Sequence, residues 1–342
     1  MKHSFGSDNH SGVHPLIMEA IIRQNNHFSV AYGEDSYTQQ VLTRLQDILG
    51  GHCTAFFVLN GTGANVVGLS CFTESFNSIL APVTAHINVD ECGAPEKLSG
   101  AKIIPLNAPN GKVSPDEVKK ALTGFGFQHH SQPGILSISQ PTELGTVYTP
   151  EEITALARLM HEHNCFLHVD GSRISNAAAS LQKPVKAFTA DCGVDVLSFG
   201  GTKNGLLMGE AVVIFNRGHR AAGILPYVRK QATQLYSKSR FIAAQFETYL
   251  KDDLYIRLAA QSNAMAAYLA SQLKDIKEIQ ITRPVESNAV FAIVPGYLSA
   301  RLMEKHYFYI WDEAVNEVRW MCSFNTTKED IDLFVEDIKQ MV

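Results

Sequence analysis

The apolar positions of this chain change their period along its length, and the changes divide it. From about residue 37, helical spacing alternates with short runs that are apolar throughout. Ser36 or its neighbour is placed to cap a helix reaching Leu49, CTAFFVL (53–59) reads as a strand, and GTGANVVGLSCF (61–72) as the helix after it. SILAP, KIIPL, GILSIS, CFLHVD, DVLSF and EAVVIF continue the strands, with helices such as SPDEVKKAL and TPEEITALARLMHEH between them. Strands that are apolar on both faces have no side to offer water. The succession therefore predicts a mainly parallel sheet covered by helices on both faces.

After about residue 235 the rhythm changes. One long helix is expected from Ser239 towards Leu273, then strands at EIQITRP, NAVFAIV, FYIW and EVRWMCSF, a helix near LSARLMEK and a terminal helix. This predicts a smaller α/β domain on an antiparallel sheet. The expected division is an N-terminal arm at 1–14, a large domain at 15–240, and a linking helix with the small domain at 241–342. The 342 residues suffice for two cores. No repeat or Gly/Ser linker separates them, so they should be firmly joined.

Composition narrows the class. Hydrophobic residues at 45% and charged residues at 18% exclude disorder and fibrous structure. A net charge of -5 gives no basic field for a phosphate backbone, so nucleic acid is not an expected partner. The first residues lack the apolar core of a signal peptide and no run reaches membrane-spanning length, so a cytoplasmic protein is expected. The six scattered cysteines, with no CxxC pair, read as buried free thiols rather than disulfides or a metal site.

The chemistry concentrates between Asp170 and Lys203, in HVDGSR (168–173) and LSFGGTKNG (197–205), each at the C-terminal end of an expected strand. That edge is where open α/β sheets bind ligands. A carboxylate there can pair with a protonated pyridine nitrogen, and a lysine from a neighbouring strand can reach an aldehyde carbon. Pyridoxal phosphate needs both groups. Asn60-Gly61-Thr62-Gly63 opens a helix, where small residues let backbone amides approach an anion. It lacks the spacing of a dinucleotide or NTP fingerprint, and alone it is also an ordinary βα turn. His86, after SILAP, is placed to stack on a ring or move a proton, although a lone histidine is more often a core residue. His161 with His163, and His129 with His130, are assigned to solvent.

Jointly these segments resemble the threonine aldolase family of fold-type I pyridoxal-phosphate enzymes, over nearly the whole chain. The markers fall in the family's order: FGSDNHSGVHP, AYGEDSYT, NGTGAN, HINVDECG, SQPTELGTVYTPEE, HVDGSR, FGGTKNG, SKSRFIAAQF and SNAVF. The opening, TELGTVYTPEE and GGTKNG look closest to the low-specificity L-threonine aldolase branch. Ala94 stands where a second glycine is frequent in the family.

The resemblance implies cleavage of a β-hydroxy-α-amino acid to glycine and an aldehyde, with Lys203 as the Schiff-base lysine and Asp170 on the pyridinium nitrogen. It places His86 on the ring, where it is the first candidate for the base, and Gly61 and Thr62 at the phosphate. Arg240 is implied as a further phosphate ligand, donated by a neighbouring subunit. Ser7, Arg173 and Arg319 would bind the substrate carboxylate, because a guanidinium fork matches a carboxylate. A homo-oligomer, tetramer or dimer, with shared active sites is implied as well. A β-eliminating amino-acid lyase on the same scaffold is the alternative. An oxidoreductase would need a fuller phosphate fingerprint, and an inactive binding protein would not need Lys203, Asp170 and Arg173 together.

Overall fold

The computed structural model describes residues 4–215 and 220–342. Its larger sheet has seven strands: β1 (Thr54–Val58), β2 (Asn77–Pro82), β3 (Lys102–Leu106), β4 (Gln132–Ser139), β5 (Phe166–Gly171), β6 (Val196–Phe199) and β7 (Glu210–Ile214). Their order is β1-β7-β6-β5-β4-β2-β3. The five strands from β3 to β6 pair in parallel, and β7 runs against both β6 and β1. The C-terminal ends of β4, β5 and β6 therefore open on one edge.

Local sequence sets the helix starts. Asp35 rather than Ser36 caps the helix Ser36–Ile48, its Oδ1 accepting from the Thr38 amide at 2.7 Å. Thr149 and Glu152 form a capping box at the helix Pro150–Glu162, and Thr327 and Asp330 another at Lys328–Met341. One apolar cluster lies between the large sheet and helices that include Ser36–Ile48 and Ser239–Leu250; a separate one includes Val67, Ile79 and Leu225.

The second sheet has four strands in the order β10-β11-β9-β8, all antiparallel: β8 (Gln280–Ile281), β9 (Ala289–Ile293), β10 (Tyr309–Asp312) and β11 (Glu317–Met321). Its core contains Trp320, Phe334 and Leu269. The single long helix expected from Ser239 is instead two, Ser239–Leu250 and Leu254–Leu273. Asp252 and Asp253 both adopt left-handed backbone between them, at φ 50° and 52°. Aspartate tolerates that conformation better than most residues and so ends the first helix. The second helix itself passes from one core to the other, with Leu254 and Leu258 packing with the large sheet and Ala266–Leu273 with the small one.

Phe5 ties the N-terminal arm to the small sheet, donating from its amide to Tyr307 O at 2.8 Å and accepting at its carbonyl from Met321 N at 2.7 Å. His14 N donates to Gly205 O at 2.9 Å, two residues beyond Lys203. The segment between, Ser7 and Asp8, is thereby held against the large sheet's open edge. Two smaller expectations change. Cys92 is exposed, unlike the other five cysteines. His161 is exposed but not merely solvated, since its Nε2 lies 2.8 Å from Asp195 Oδ2.

Candidate active site

Asp170 ends β5 with its carboxylate almost wholly used. Oδ1 accepts from the Ser172 amide at 2.9 Å and the Ser172 hydroxyl at 2.7 Å, and Oδ2 accepts from Asn65 Nδ2 at 2.8 Å. Burial pushes its pKa up, but the charge of Lys203 and these hydrogen bonds outweigh burial and hold the carboxyl below its usual range. Asp170 is therefore an anion in a buried place.

Lys203 sits on a short turn after β6. Gly200 makes that exit possible, because a Cβ there would lie 2.2 Å from Ser172 O. Gly201 N donates to Glu210 Oε2 at 2.5 Å and fixes the turn. Lys203 is half-buried, and none of the hydrogen bonds found among the described residues involves its amine. Burial and then the charge of Arg173 depress its pKa, against Asp8, Asp170 and Glu210. A lysine so placed is nearer to being a free amine than a solvated one.

His86 begins a short helical turn after β2. Its Nδ1 lies 2.8 Å from Glu91 Oε1, which also accepts from Asn65 Nδ2 at 2.8 Å. The Glu91 hydrogen bond raises the His86 pKa, against burial and Lys203. Asn65 thus joins the carboxylates of Asp170 and Glu91 with one amide. Ala94, at the departure from the family's glycine, opens the helix Ala94–Ser99, while Gly93 before it carries the positive φ of 70°. The loop needs one glycine there, and it has it.

Gly61 and Thr62 open the helix Gly61–Ser70. Asn60 Oδ1 accepts from Gly63 N at 2.8 Å, and a Cβ on Gly61 would lie 3.4 Å from Ser172 Oγ. The helix N-terminus therefore abuts the loop that follows Asp170. Gly63 is needed for another reason: a Cβ there would fall 2.2 Å from the Gln234 side chain, which caps the end of β1 by accepting from Leu59 N at 3.0 Å.

The opposite wall carries two guanidiniums. Arg173 donates from Nε to Asp8 Oδ2 at 2.5 Å and from Nη2 to Asp8 Oδ1 at 2.9 Å. Asp8 is 1% exposed and also accepts from Asn288 Nδ2 at 3.1 Å. Arg319, on β11, donates from Nη2 to Gly6 O at 3.1 Å and lies 4.9 Å from the Trp311 ring centre. Its buried Nε has no partner among the described residues. Burial and the nearby charge of Arg173 push Arg319 down to about 10. Two guanidiniums that repel each other beside an unpartnered N–H form a place for an anion.

Ser7, His86, Arg173, Lys203 and Arg319 line one cleft of about 520 Å³, within the usual size for a small-molecule site. Asp170 lines its deeper extension with Ser139 and Ser172. Arg240 does not join them. It donates from Nη1 to His27 O at 3.0 Å and stacks on Phe241, away from this chain's cleft. Asp8, Asn65 and Glu143 belong to the site without having been assigned a role from sequence. Each stood inside a quoted motif, but a carboxylate or amide beside a serine or glycine carries no signal of its own until its partner is known. Among the described residues no cluster of three or more metal-ligating side chains occurs, and no helix is long and apolar enough to cross a membrane.

Residues 4–295 match the family model described as Beta-eliminating lyase. The chain is 36% identical over 339 residues to a low specificity L-threonine aldolase of a Pseudomonas species, covering 99% of this chain and 97% of the relative. It is equally 36% identical to the low specificity L-threonine aldolase of Pseudomonas aeruginosa, over 98% of this chain and 96% of that one. In structure it superposes on a threonine aldolase from Leishmania major with a TM-score of 0.93 at 28% identity, covering 99% of both chains. By sequence over nearly its whole length and by the fold that carries this cleft, the chain belongs to the beta-eliminating lyase family.

Proposed function

We propose that the cleft binds pyridoxal phosphate and cleaves L-threonine, L-allo-threonine or related β-hydroxy-α-amino acids to glycine and an aldehyde. One observation carries the reading: a half-buried amine, Lys203, shares a cleft with a buried, ionised carboxylate, Asp170, and two guanidiniums. The donor set fits the cofactor. Lys203 has an amine to give to an aldehyde, and Asp170 an anion for a pyridinium. Because Asn60 caps Gly63, the amides of Gly61 and Thr62 are left for a phosphate at a helix N-terminus. His86, tethered through Nδ1 to Glu91, would lie against the ring.

When bound, the cofactor supplies an electron sink for the bond to be broken. The chain's own residues choose that bond. Arg319 and the unused Nη1 of Arg173, with Ser7, would hold the substrate carboxylate and turn the Cα–Cβ bond to the cofactor's face. A second reading, β-elimination, draws on the description of the matching family. Incubation with L-threonine and L-allo-threonine separates the two: glycine with acetaldehyde supports cleavage, whereas ammonia with an oxo acid and no glycine overturns it.

We also infer a cytoplasmic homo-oligomer, dimer or tetramer. Leu16, Ile22, Phe28 and Val30 are exposed on the segment before AYGEDSYT, with Ile22 68% exposed. Apolar side chains gathered this way suit a subunit contact, and Arg240 packs on the same segment through His27. In the domain division we place the join within the helix Leu254–Leu273, where side chains pass from one core to the other.

A further inference from the structure

We propose that Glu143 recognises the β-hydroxyl of the substrate and takes its proton as the Cα–Cβ bond breaks; the inference rests on the aldolase reading above. Glu143 follows β4 and lines both the main cleft and its extension, beside His86, Arg173 and Lys203. One carboxylate oxygen is fully engaged: Oε1 accepts from the His86 amide at 2.9 Å and from the Ser139 hydroxyl. The other, Oε2, is buried and has no hydrogen-bond partner among the described residues. Leaving such an oxygen without a donor costs stability, so a buried orphan at a binding cleft calls for an explanation from the ligand.

A β-hydroxy-α-amino acid can offer that oxygen few groups. Its carboxylate has no proton to donate and belongs with Arg173 and Arg319. Its amine would go to the cofactor carbon that Lys203 would otherwise hold. The hydroxyl is the donor that remains. His86 is the other basic side chain at hand, but its Nδ1 is already engaged with Glu91 Oε1 at 2.8 Å. Glu143 keeps Oε2 unengaged among the described residues. Burial raises its pKa, with Asp170 adding to the rise against the hydrogen bonds from Ser139 and His86, and this makes it a stronger base than a solvated carboxylate.

The step balances within the substrate. As Oε2 takes the hydroxyl proton, the O–H electron pair becomes the second bond of the aldehyde C=O, and the Cα–Cβ pair leaves with Cα. The proton that Cα gains to become glycine equals the one the hydroxyl lost. No oxidant or reductant is needed, and in the direction of synthesis Glu143 returns the proton.

The test uses cofactor-loaded wild-type and Glu143→Gln protein in two reactions. One is cleavage of L-threonine. The other is exchange of the α-hydrogen of glycine with deuterated water, followed by NMR, which needs the same cofactor and lysine but no hydroxyl. The expected result is a fall in cleavage kcat of about 100-fold or more with glycine exchange within about three-fold of wild type. In Glu143→Ala, added formate should restore part of the cleavage rate, as a small carboxylate fills the vacated place. Cleavage at the wild-type rate in Glu143→Gln overturns the proposal. So does an equal fall in both reactions without formate rescue, which makes Glu143 only a support for the His86 loop. Wild-type protein that forms no glycine from any β-hydroxy amino acid instead overturns the aldolase reading on which the proposal stands.

Discussion

Arg173 and Asp8 form a two-pronged ion pair across the cleft, with Nε to Oδ2 at 2.5 Å and Nη2 to Oδ1 at 2.9 Å. The arginine expected to hold a substrate carboxylate is thus already oriented by a carboxylate of the chain's own N-terminal arm. Only its remaining edge is left for a ligand. Asp8 is in turn held by Asn288 on the small-domain side, so the pair joins the arm, the large sheet and the small sheet at one point.

Replacing Arg173 by lysine keeps the charge and removes the planar fork. Arg173→Lys is expected to retain the cofactor's visible absorbance while kcat/KM for L-threonine or L-allo-threonine falls about 10-fold or more, the equivalent of losing roughly 1.4 kcal/mol. Absorbance and steady-state kinetics on one purified variant decide it. Unchanged kinetics would move the carboxylate site to Arg319 alone, and a lost absorbance band would make Arg173 a support of the cofactor.

Acid should weaken the same pair. Burial raises the Asp8 pKa, but the charge and hydrogen bonds of Arg173 outweigh it, so the folded value lies below the ordinary 3.8. A carboxyl depressed on folding contributes stability that is complete above its unfolded pKa and is lost as pH falls through the folded one. The wild-type protein should therefore lose thermal stability more steeply below about pH 4 than Asp8→Asn does. Melting curves at several pH values measure the difference; parallel curves for the two proteins would show that Asp8 contributes no such linkage.

Much of this architecture was legible because it follows from local pattern. The strands of the large sheet are apolar on both faces, and Asp170 and Lys203 fall at their ends by simple position. What escaped was non-local. Arg173 and Asp8 are 165 residues apart, and nothing in DGSR or FGSDNH says that they meet. The expectation of one helix from Ser239 failed at Asp252 and Asp253, whose left-handed backbone interrupts a run of apolar positions that resumes at Leu254. Motif order named Arg240 as a contribution to a neighbouring subunit, and within its own chain it packs beside His27.

Lys203→Ala should abolish turnover and the covalent attachment of cofactor. Among the described residues no other lysine lines the cleft or its extension. Borohydride reduction of the loaded protein, followed by peptide mass analysis, locates the attachment. Label on any peptide lacking residue 203 would refute the assignment.

The amide of Asn65 donates to Asp170 Oδ2 and to Glu91 Oε1, each at 2.8 Å, and so serves the carboxylate proposed for the pyridinium and the His86 tether with one group. Asn65→Ala removes a donor from two buried carboxylates at once. Hydrogen bonds to a charged group are worth about 1.5–3 kcal/mol, and a buried acceptor left alone is costly. Losing a bond to the ionised form also raises the Asp170 pKa, which reduces the fraction able to pair with a protonated ring nitrogen. Asn65→Ala should therefore bind pyridoxal phosphate about 10-fold more weakly or worse and lose kcat/KM in proportion. Asn65→Asp should be more damaging still, because it sets a third negative group beside two others, whereas loss of packing alone would make the smaller alanine the worse substitution. Cofactor titration of the three proteins by absorbance gives the ranking directly. Wild-type affinity in Asn65→Ala would mean that the charge of Lys203 and the hydrogen bonds from Ser172 suffice to keep Asp170 ionised and that the bridging amide is incidental to the site.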